Sequence, residues 1–290
     1  MPGQRPSFRP GAHEEFGLVT WFDALFLGTI QGLTEFLPVS SDGHLSAAEI
    51  LLPHFAQIGI LFDVIVHVGT LAAVVVFFRR TLADEWNGLW SPDPQARSSS
   101  RRLVVLVVAA TIPTGIVGLL LKRAVEESKQ DPRFIGAMEI ATGICLLLSL
   151  FARDRGRDRS STTVWDAILI GIVQGLAVLP GLSRSATTIA FALLVGLSRR
   201  WAVTFSFLLL LPAVLGASFL ELASAWRERG VAFFSGSDFA KYVAGALMAG
   251  IVGYFAIGWL IRVVIAKRLH WFAVYCILFG VALILFLGRR

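Results

Sequence analysis

The chain has 290 residues, of which 56% are hydrophobic and only 16% are charged, and its mean hydropathy is +0.71. This composition excludes an ordinary soluble domain, in which about a quarter of the residues are charged. The net charge of +6 comes mainly from short Arg-rich loops, which set membrane topology and argue against nucleic-acid binding. Cys145 and Cys276 lie in separate apolar runs and indicate buried thiols, not a disulfide or metal site. We therefore expect an all-α polytopic membrane protein that forms one integral membrane domain over residues 1–290.

The first apolar region, residues 22–52, is broken where a transmembrane helix would be continuous. Five helix-breaking residues interrupt or end it: Gly28, Gly32, Pro38, Gly43 and Pro53. They predict two short helices around a loop at Pro38–Gly43, and neither piece reaches the roughly 20 residues that cross a bilayer. A re-entrant helical hairpin is expected, because irregular backbone at membrane depth must be buried in protein or line a cavity. The polar residues 1–20 lack the apolar core of a signal peptide and are expected to form a tail.

Six later apolar runs have the length of membrane spans: residues 61–78, 103–121, 134–151, 201–219, 240–262 and 271–288. Polar loops are expected at Thr81–Ser100 and Lys122–Arg133, and Pro113 is expected to kink its span. The linker Ala152–Trp165 is the most polar break in the middle of the chain.

An internal repeat relates residues 22–151 to residues 166–288. Its clearest matches, at an offset of 143 residues, are Gly28, Gln31 and Gly32 with Gly171, Gln174 and Gly175. Each half then contains one re-entrant hairpin and three transmembrane helices. Because three is odd, the second half enters the membrane from the opposite side, which predicts an inverted-topology repeat with its site near the midplane. The four-residue spacing of the glycines favours tight helix packing.

The first hairpin carries an unusual set of polar residues. Gln31 and Glu35 are four residues apart and would share a helix face, where they could also serve only to satisfy backbone groups. An ionised carboxylate in a membrane hairpin is costly without a cation or a proton. Glu35 is therefore a candidate general base, or a candidate ligand for a hard divalent cation such as Mg²⁺.

The stretch Ser40–His44 has the composition of a loop that opens a helix. Ser or Asp would cap that helix, and a helix N-terminus also binds anions, so capping and phosphate binding are compatible. Ser41 is a candidate nucleophile, and His44 is the natural proton carrier near neutral pH. Capping alone, and a His that is merely hydrogen-bonded in the interior, are the alternatives.

The second hairpin contributes Pro180–Thr188, which has the composition of a phosphate cradle. Gly181 would allow close backbone approach, and Arg184 offers a planar charged fork that suits phosphate oxygens. The hydroxyl donors are Ser183, Ser185 and Thr188. A purely structural pair of Arg184 with Glu35 is the alternative, although such a pair stabilises little after desolvation. Three more polar residues lie within the spans and are expected to be interior groups at most near the site: Asp63, His67 and Glu139.

Both stretches resemble one family, the undecaprenyl-diphosphate phosphatases, membrane enzymes associated with bacitracin resistance. The resemblance rests on Gln31 and Glu35–His44, read as Glu-Phe-Leu-Pro-Val-Ser-Ser-Asp-Gly-His, and on Pro180–Thr188. It implies that Glu35, Ser41, His44 and Arg184 form the core of the site, with Gln31, Ser40, Gly181, Ser183, Ser185 and Thr188 around it. Two positions depart from the family pattern: Gln31 takes the variant of the first acidic position, and Asp42 replaces the usual Thr.

The resemblance implies hydrolysis of undecaprenyl diphosphate to undecaprenyl phosphate and inorganic phosphate, which recycles the lipid carrier of cell-wall synthesis. Either Ser41 or a water attacks, and a divalent cation (Mg²⁺ or Ca²⁺) on Glu35 and Asp42 is left open, with no organic cofactor. The expected location is the bacterial plasma (inner) membrane, with membrane lipids as neighbours. A homodimer is left open. The alternative is a polyprenyl-phosphate flippase, because broken helices in inverted repeats are also a transporter design. A structural scaffold would leave Glu35 and Arg184 unexplained.

Overall fold

A computed structural model describes residues 19–51, 59–153, 155–229 and 239–288. Most of residues 1–20, together with Pro53, lies outside this part of the chain. Within it the secondary structure is helical apart from turns and one isolated bridge, as the composition predicts. The helices are α1 (Trp21–Thr34), α2 (Ser41–Leu51), α3 (Gly59–Phe77), α4 (Arg79–Leu89), α5 (Pro94–Ser128), α6 (Pro132–Leu148), α7 (Val164–Leu176), α8 (Arg184–Leu194), α9 (Arg199–Arg229), α10 (Phe239–Ile265) and α11 (His270–Ala282).

The two predicted hairpins are present as pairs of short helices. α1 and α2 have 14 and 11 residues, and α7 and α8 have 13 and 11. α1 and α7 begin with the same capping box, Thr20 with Asp23 and Thr163 with Asp166, which satisfies free N–H groups of the first turn. The break after α1 ends earlier than predicted, because Ser41 already begins α2 and Gly43 is helical.

Five helices of the described chain are long and apolar enough to cross a membrane: α5, α6 (extended to Phe151), α9, α10 and α11 (extended to Leu287). The sixth predicted span corresponds to α3, which meets the criterion only together with α4, at an angle of 68°. The polytopic membrane architecture is thus confirmed. The orientation of the two halves relative to the membrane stays a prediction.

Two predicted loops are helical. Arg79–Leu89 forms α4, and α5 starts at Pro94, so most of the segment Thr81–Ser100 is not a loop. Pro94 occupies the first turn after the N-cap Asp93, where a missing N–H costs nothing. α5 also continues to Ser128 through most of the predicted loop Lys122–Arg133. Its charged C-terminal end carries i,i+4 ion pairs, which stabilise the helix in a segment that has few apolar residues.

The hairpin helices pack closely on spans from the other half of the chain. A Cβ added at Gly28 would collide with the backbone of Gly245 in α10, and one added at Gly171 would collide with the backbone of Ala110 in α5. The tight packing predicted from the glycine spacing is therefore confirmed. The main buried cluster extends from this packing into both hairpins and includes Phe36. Both cysteines are free, and Cys276 is buried.

Candidate active site

Glu35 lies at the centre of the candidate site. It is the C-cap residue of α1, with 8% of its surface exposed. Arg184 Nη2 donates to Glu35 Oε1 at 2.7 Å, and Ser41 Oγ donates to Glu35 Oε2 at 2.7 Å. The carboxylate therefore joins the hydroxyl of one hairpin to the guanidinium of the other, and three of the four predicted core residues are in contact.

Two further side chains approach the same carboxylate. Gln31 Nε2 donates to Glu35 Oε2 at 3.1 Å, which confirms the shared helix face. His67 Nε2 lies 3.7 Å from that oxygen. His67 Nδ1 is 2.7 Å from the carbonyl oxygen of Asp63, so Nδ1 carries a proton and Nε2 is the nitrogen turned to Glu35. The sequence indicated His67 only as an interior polar group, because it does not show that His67 of α3 lies beside the carboxylate of Glu35.

Arg184 is placed by the start of α8. Ser183 caps the helix, since its Oγ accepts from the N–H of Ala186 at 3.3 Å. Ser185 Oγ donates to the carbonyl of Leu37 at 3.2 Å and so ties α8 to the turn of the first hairpin. Ser183 and Ser185 Oγ are 3.3 Å apart. Both predicted hydroxyls are thus near the start of α8, and both are buried.

Ser40 opens α2 from a left-handed backbone conformation, with φ of +64°. Its Oγ accepts from the N–H of Gly43 at 3.2 Å, which is the capping contact expected from the sequence. A non-glycine residue in this conformation costs of order 1 kcal/mol. That cost is compatible with a functional site in which the backbone conformation of Ser40 orients Ser41.

The ring nitrogens of His44 contact groups other than Glu35. Its Nδ1 lies 2.7 Å from the carbonyl oxygen of Ser40, and its Nε2 lies 2.6 Å from the hydroxyl of Tyr275. The ring stacks on Phe279 with centroids 4.4 Å apart. His44 therefore packs against α11, and its role as proton carrier for Ser41 stays a prediction.

Gly181 and Thr188 support the second hairpin in this structure. Gly181 has φ of +91°, and a Cβ there would collide with the backbone of Ile135 in α6. Thr188 Oγ1 donates to the carbonyl of Arg184 at 2.7 Å and also meets Ser206 Oγ. Each has a structural reason for its identity, and its contribution to substrate binding stays a prediction.

The predicted metal ligands do not form a cation cage by themselves. Asp42 is exposed in the first turn of α2, and the oxygens of Glu35 are occupied by hydrogen-bond donors. In the described ranges, no group of three or more His, Cys, Asp or Glu side chains is arranged to hold a metal ion.

A charged cluster borders the site on the side of His67. Lys129 Nζ, in the loop after α5, lies 3.9 Å from Asp63 Oδ2. Partial burial by itself lowers the pKa of Lys129, but the carboxylates of Asp63, Asp42 and Glu49 outweigh it and raise that pKa. Lys129 therefore stays cationic at neutral pH, next to the helix that carries His67.

These features define a polytopic membrane protein in which the N-termini of two short helices, an arginine and a serine converge on one carboxylate. The sequence model of the family described as "Bacitracin resistance protein BacA" matches residues 24–282. The chain belongs to this family.

Curated relatives agree with that assignment over nearly their whole length. The undecaprenyl-diphosphatase of Syntrophotalea carbinolica is 42% identical over 262 residues, covering 90% of this chain and 97% of the relative. That of Carboxydothermus hydrogenoformans is 37% identical, with 91% and 96% covered. That of Corynebacterium glutamicum is 36% identical, with 96% and 94% covered.

Proposed function

We propose that this protein is an undecaprenyl-diphosphatase that releases inorganic phosphate and leaves undecaprenyl phosphate. The proposal is supported by the similar undecaprenyl-diphosphatases described above and, within the structure, by the carboxylate that Ser41 and Arg184 share. In the plasma (inner) membrane of a bacterium this reaction recycles the lipid carrier of cell-wall synthesis and confers bacitracin resistance.

The diphosphate would bind where the two hairpins meet. Arg184 is the first residue of α8, and Ser41 is the first residue of α2. A helix N-terminus carries a partial positive charge and free N–H groups, both of which favour phosphate oxygens. Arg184 adds a full positive charge in a planar fork that matches two oxygens of one phosphate. The prenyl chain would remain among the membrane lipids.

Ser41 and Glu35 form the reactive pair in this proposal. Their hydrogen bond of 2.7 Å places a nucleophile within reach of a base. The Ser41 oxygen bonds to the terminal phosphorus, its proton passes to Glu35, and the bond from phosphorus to the bridging oxygen breaks to release undecaprenyl phosphate. Water then hydrolyses the phosphoserine. A water that attacks directly and gives its proton to Glu35 yields the same products.

Substrate binding would itself activate the base. Before substrate arrives, the guanidinium of Arg184 pairs with Glu35 Oε1 and favours the ionised, weakly basic carboxylate. A bound diphosphate competes for Arg184 and draws its charge away. Glu35 then takes up a proton more readily, at the moment when Ser41 must lose one.

The test is phosphate release by purified protein in detergent from a C15 or C55 prenyl diphosphate, beside Arg184→Ala and with or without EDTA. We expect release by the wild type and its loss in Arg184→Ala. Wild type that binds the lipid but releases no phosphate would refute the proposal and favour a flippase.

Two details need their own readouts. Acid quenching of a reaction with terminally ³²P-labelled substrate traps a phosphoprotein if Ser41 attacks, and none if water attacks. The EDTA arm tests the divalent cation expected on Glu35 and Asp42. The proposed homodimer is tested by light scattering of the same preparation.

A further inference from the structure

Glu139 is a fully buried acid that the reaction described above does not use. It lies on α6 with 0% of its surface exposed, and neither carboxylate oxygen has a hydrogen-bond partner in the described structure. The polar groups beside it are His44 Nδ1, 3.9 Å from Oε1, and the thiol of Cys276. Leaving such a group unsatisfied is costly, and more so if it is charged. A leucine would fill the same space without that cost.

Small residues on two neighbouring helices make room for this acid. A Cβ added at Gly43 in α2 would collide with Glu139 Oε1, and one added at Gly280 in α11 would lie 3.1 Å from Glu139 Cβ. The carboxyl group consequently reaches the first turn of α2. The positive end of a helix dipole favours negative charge there. Glu139 is thus the one acid of α6 placed against the helix that carries Ser41 and His44.

His44 presents a defined face to Glu139. The Ser40 carbonyl can only accept, so the 2.7 Å contact places a proton on His44 Nδ1. A second proton can therefore enter only at Nε2, the nitrogen that faces Tyr275. The added charge spreads over the ring and would face the Glu139 carboxylate from the Nδ1 side. A carboxylate behind a histidine stabilises the imidazolium in this way in hydrolase triads.

Few other groups compete for this role. From α11, Tyr275 and Cys276 face the pair, and the Cys276 thiol donates to the Pro38 carbonyl at 3.3 Å. From the turn before α2, the contacts are backbone carbonyls. Glu35 is held by other partners, namely Arg184, Ser41 and Gln31.

We propose that Glu139 is a positioning residue that acts through His44, serving as the counter-charge of the imidazolium when His44 takes up a proton at Nε2. The inference rests on the proposed phosphatase function and adds to it a residue that the sequence motifs do not contain. The site then has two charge pairs: Glu35 with Arg184 at the reacting groups, and Glu139 with His44 beside them.

The experiment measures kcat/KM for phosphate release against pH in the wild type, His44→Gln, Glu139→Gln and the double variant. The limb of the pH profile that is present in the wild type and absent in His44→Gln reports the ionisation of His44. In Glu139→Gln we expect this limb to move to lower pH by about one unit or more, because an opposite charge within about 4–6 Å has been removed. In the His44→Gln background, Glu139→Gln should have no further effect on the profile.

Two more variants keep the test independent of folding defects. Cys276→Ser changes a neighbour of Glu139 without removing the acid, and its profile should match the wild type. Gly43→Ala keeps the acid but displaces its carboxyl group, and it should shift the same limb in the same direction. A Glu139→Gln profile that superimposes on the wild type overturns the inference. Absence of phosphate release by the wild type would instead overturn the proposed function.

Discussion

The two hairpins have similar helices but contribute side chains of opposite charge to the site. Both begin with a Thr–Asp capping box, and both place a glutamine near the end of the first helix. In the described structure, Gln31 and Gln174 each leave Oε1 without a hydrogen-bond partner. One turn after Gln31 comes Glu35, whereas the matching position after Gln174 is Val178. The first hairpin supplies the carboxylate and the Ser41 hydroxyl, and the second supplies the cation.

This difference shows how two similar hairpins can form an asymmetric site. The helices need close contacts, which the glycines of both hairpins provide. The chemistry needs complementary charges, which a symmetric pair of hairpins could not supply. Both hairpins have packing glycines, and the residues at their helix ends differ in charge.

Arg184, the cation of the second hairpin, gives the largest expected effect. Arg184→Ala removes the guanidinium that pairs with Glu35 and should lower turnover by about 10³-fold or more, as for other arginines at transferred phosphates. Arg184→Lys should recover part of the activity, because it restores charge but not the fork. Steady-state phosphate release measures both. Arg262→Ala, at an exposed arginine of α10, is the control and should be unaffected.

Glu35 and Ser41, from the first hairpin, should act as one unit. Glu35→Gln and Ser41→Ala should each lower turnover by about 10²–10⁴-fold, the usual contribution of general base catalysis. The double variant should be about as slow as the slower single variant. Ser46→Ala, a buried serine of the same helix bonded to the Lys129 carbonyl, should keep wild-type turnover. Strictly additive losses would contradict a shared proton transfer.

The matched glutamines test the comparison directly. Gln31→Ala should lower turnover about 10- to 100-fold, since it removes a hydrogen bond of about 1.5–3 kcal/mol to the reacting carboxylate. Gln174 instead donates to Thr114 Oγ1 and the Leu209 carbonyl, at 3.3 and 3.4 Å. Gln174→Ala should cost about 1 kcal/mol of stability with unchanged turnover per folded molecule. Turnover and the thermal midpoint are measured on both variants. A lower turnover in Gln174→Ala than in Gln31→Ala would disprove the assignment of a catalytic role to Gln31 and a structural role to Gln174.

The matched glycines should behave alike. Gly28→Ala and Gly171→Ala each force a methyl group into the backbone of a facing helix and should each cost about 1–3 kcal/mol of stability. The thermal midpoint in detergent is the measurement. Gly115→Ala, which faces open space in α5, should be neutral or slightly stabilising. A loss confined to one hairpin would mean that the two hairpins are not equivalent.

Much of the fold follows from the order of apolar and breaking residues. Membrane burial requires long apolar runs, so the spans were predictable, and glycine and proline indicated both hairpins. α4 and the ends of α5 were not, because polar helices stabilised by caps and ion pairs resemble loops in composition. Pro94 illustrates why: a proline in a polar segment indicates a loop, but proline is also favoured in the first turn of a helix, where Pro94 lies.

The candidate site was predictable where residues are close in sequence. Gln31 and Glu35 share a helix face, and capping by Ser40 follows from its position before α2. The pairing of Glu35 with Arg184 needed the repeat, because 149 residues separate them. The contacts of His67 with Glu35 and of His44 with Tyr275 depend on how whole helices rotate against each other. No local pattern encodes that rotation.

The long separation of Glu35 and Arg184 bears on how the protein is made. At about 5–20 residues per second, Glu35 leaves the ribosome on the order of ten seconds before Arg184. During that interval the acid must hold a proton or remain without its counter-charge. The ion pair forms only when the second half docks, so a truncated nascent chain exposes an unpaired acid at membrane depth.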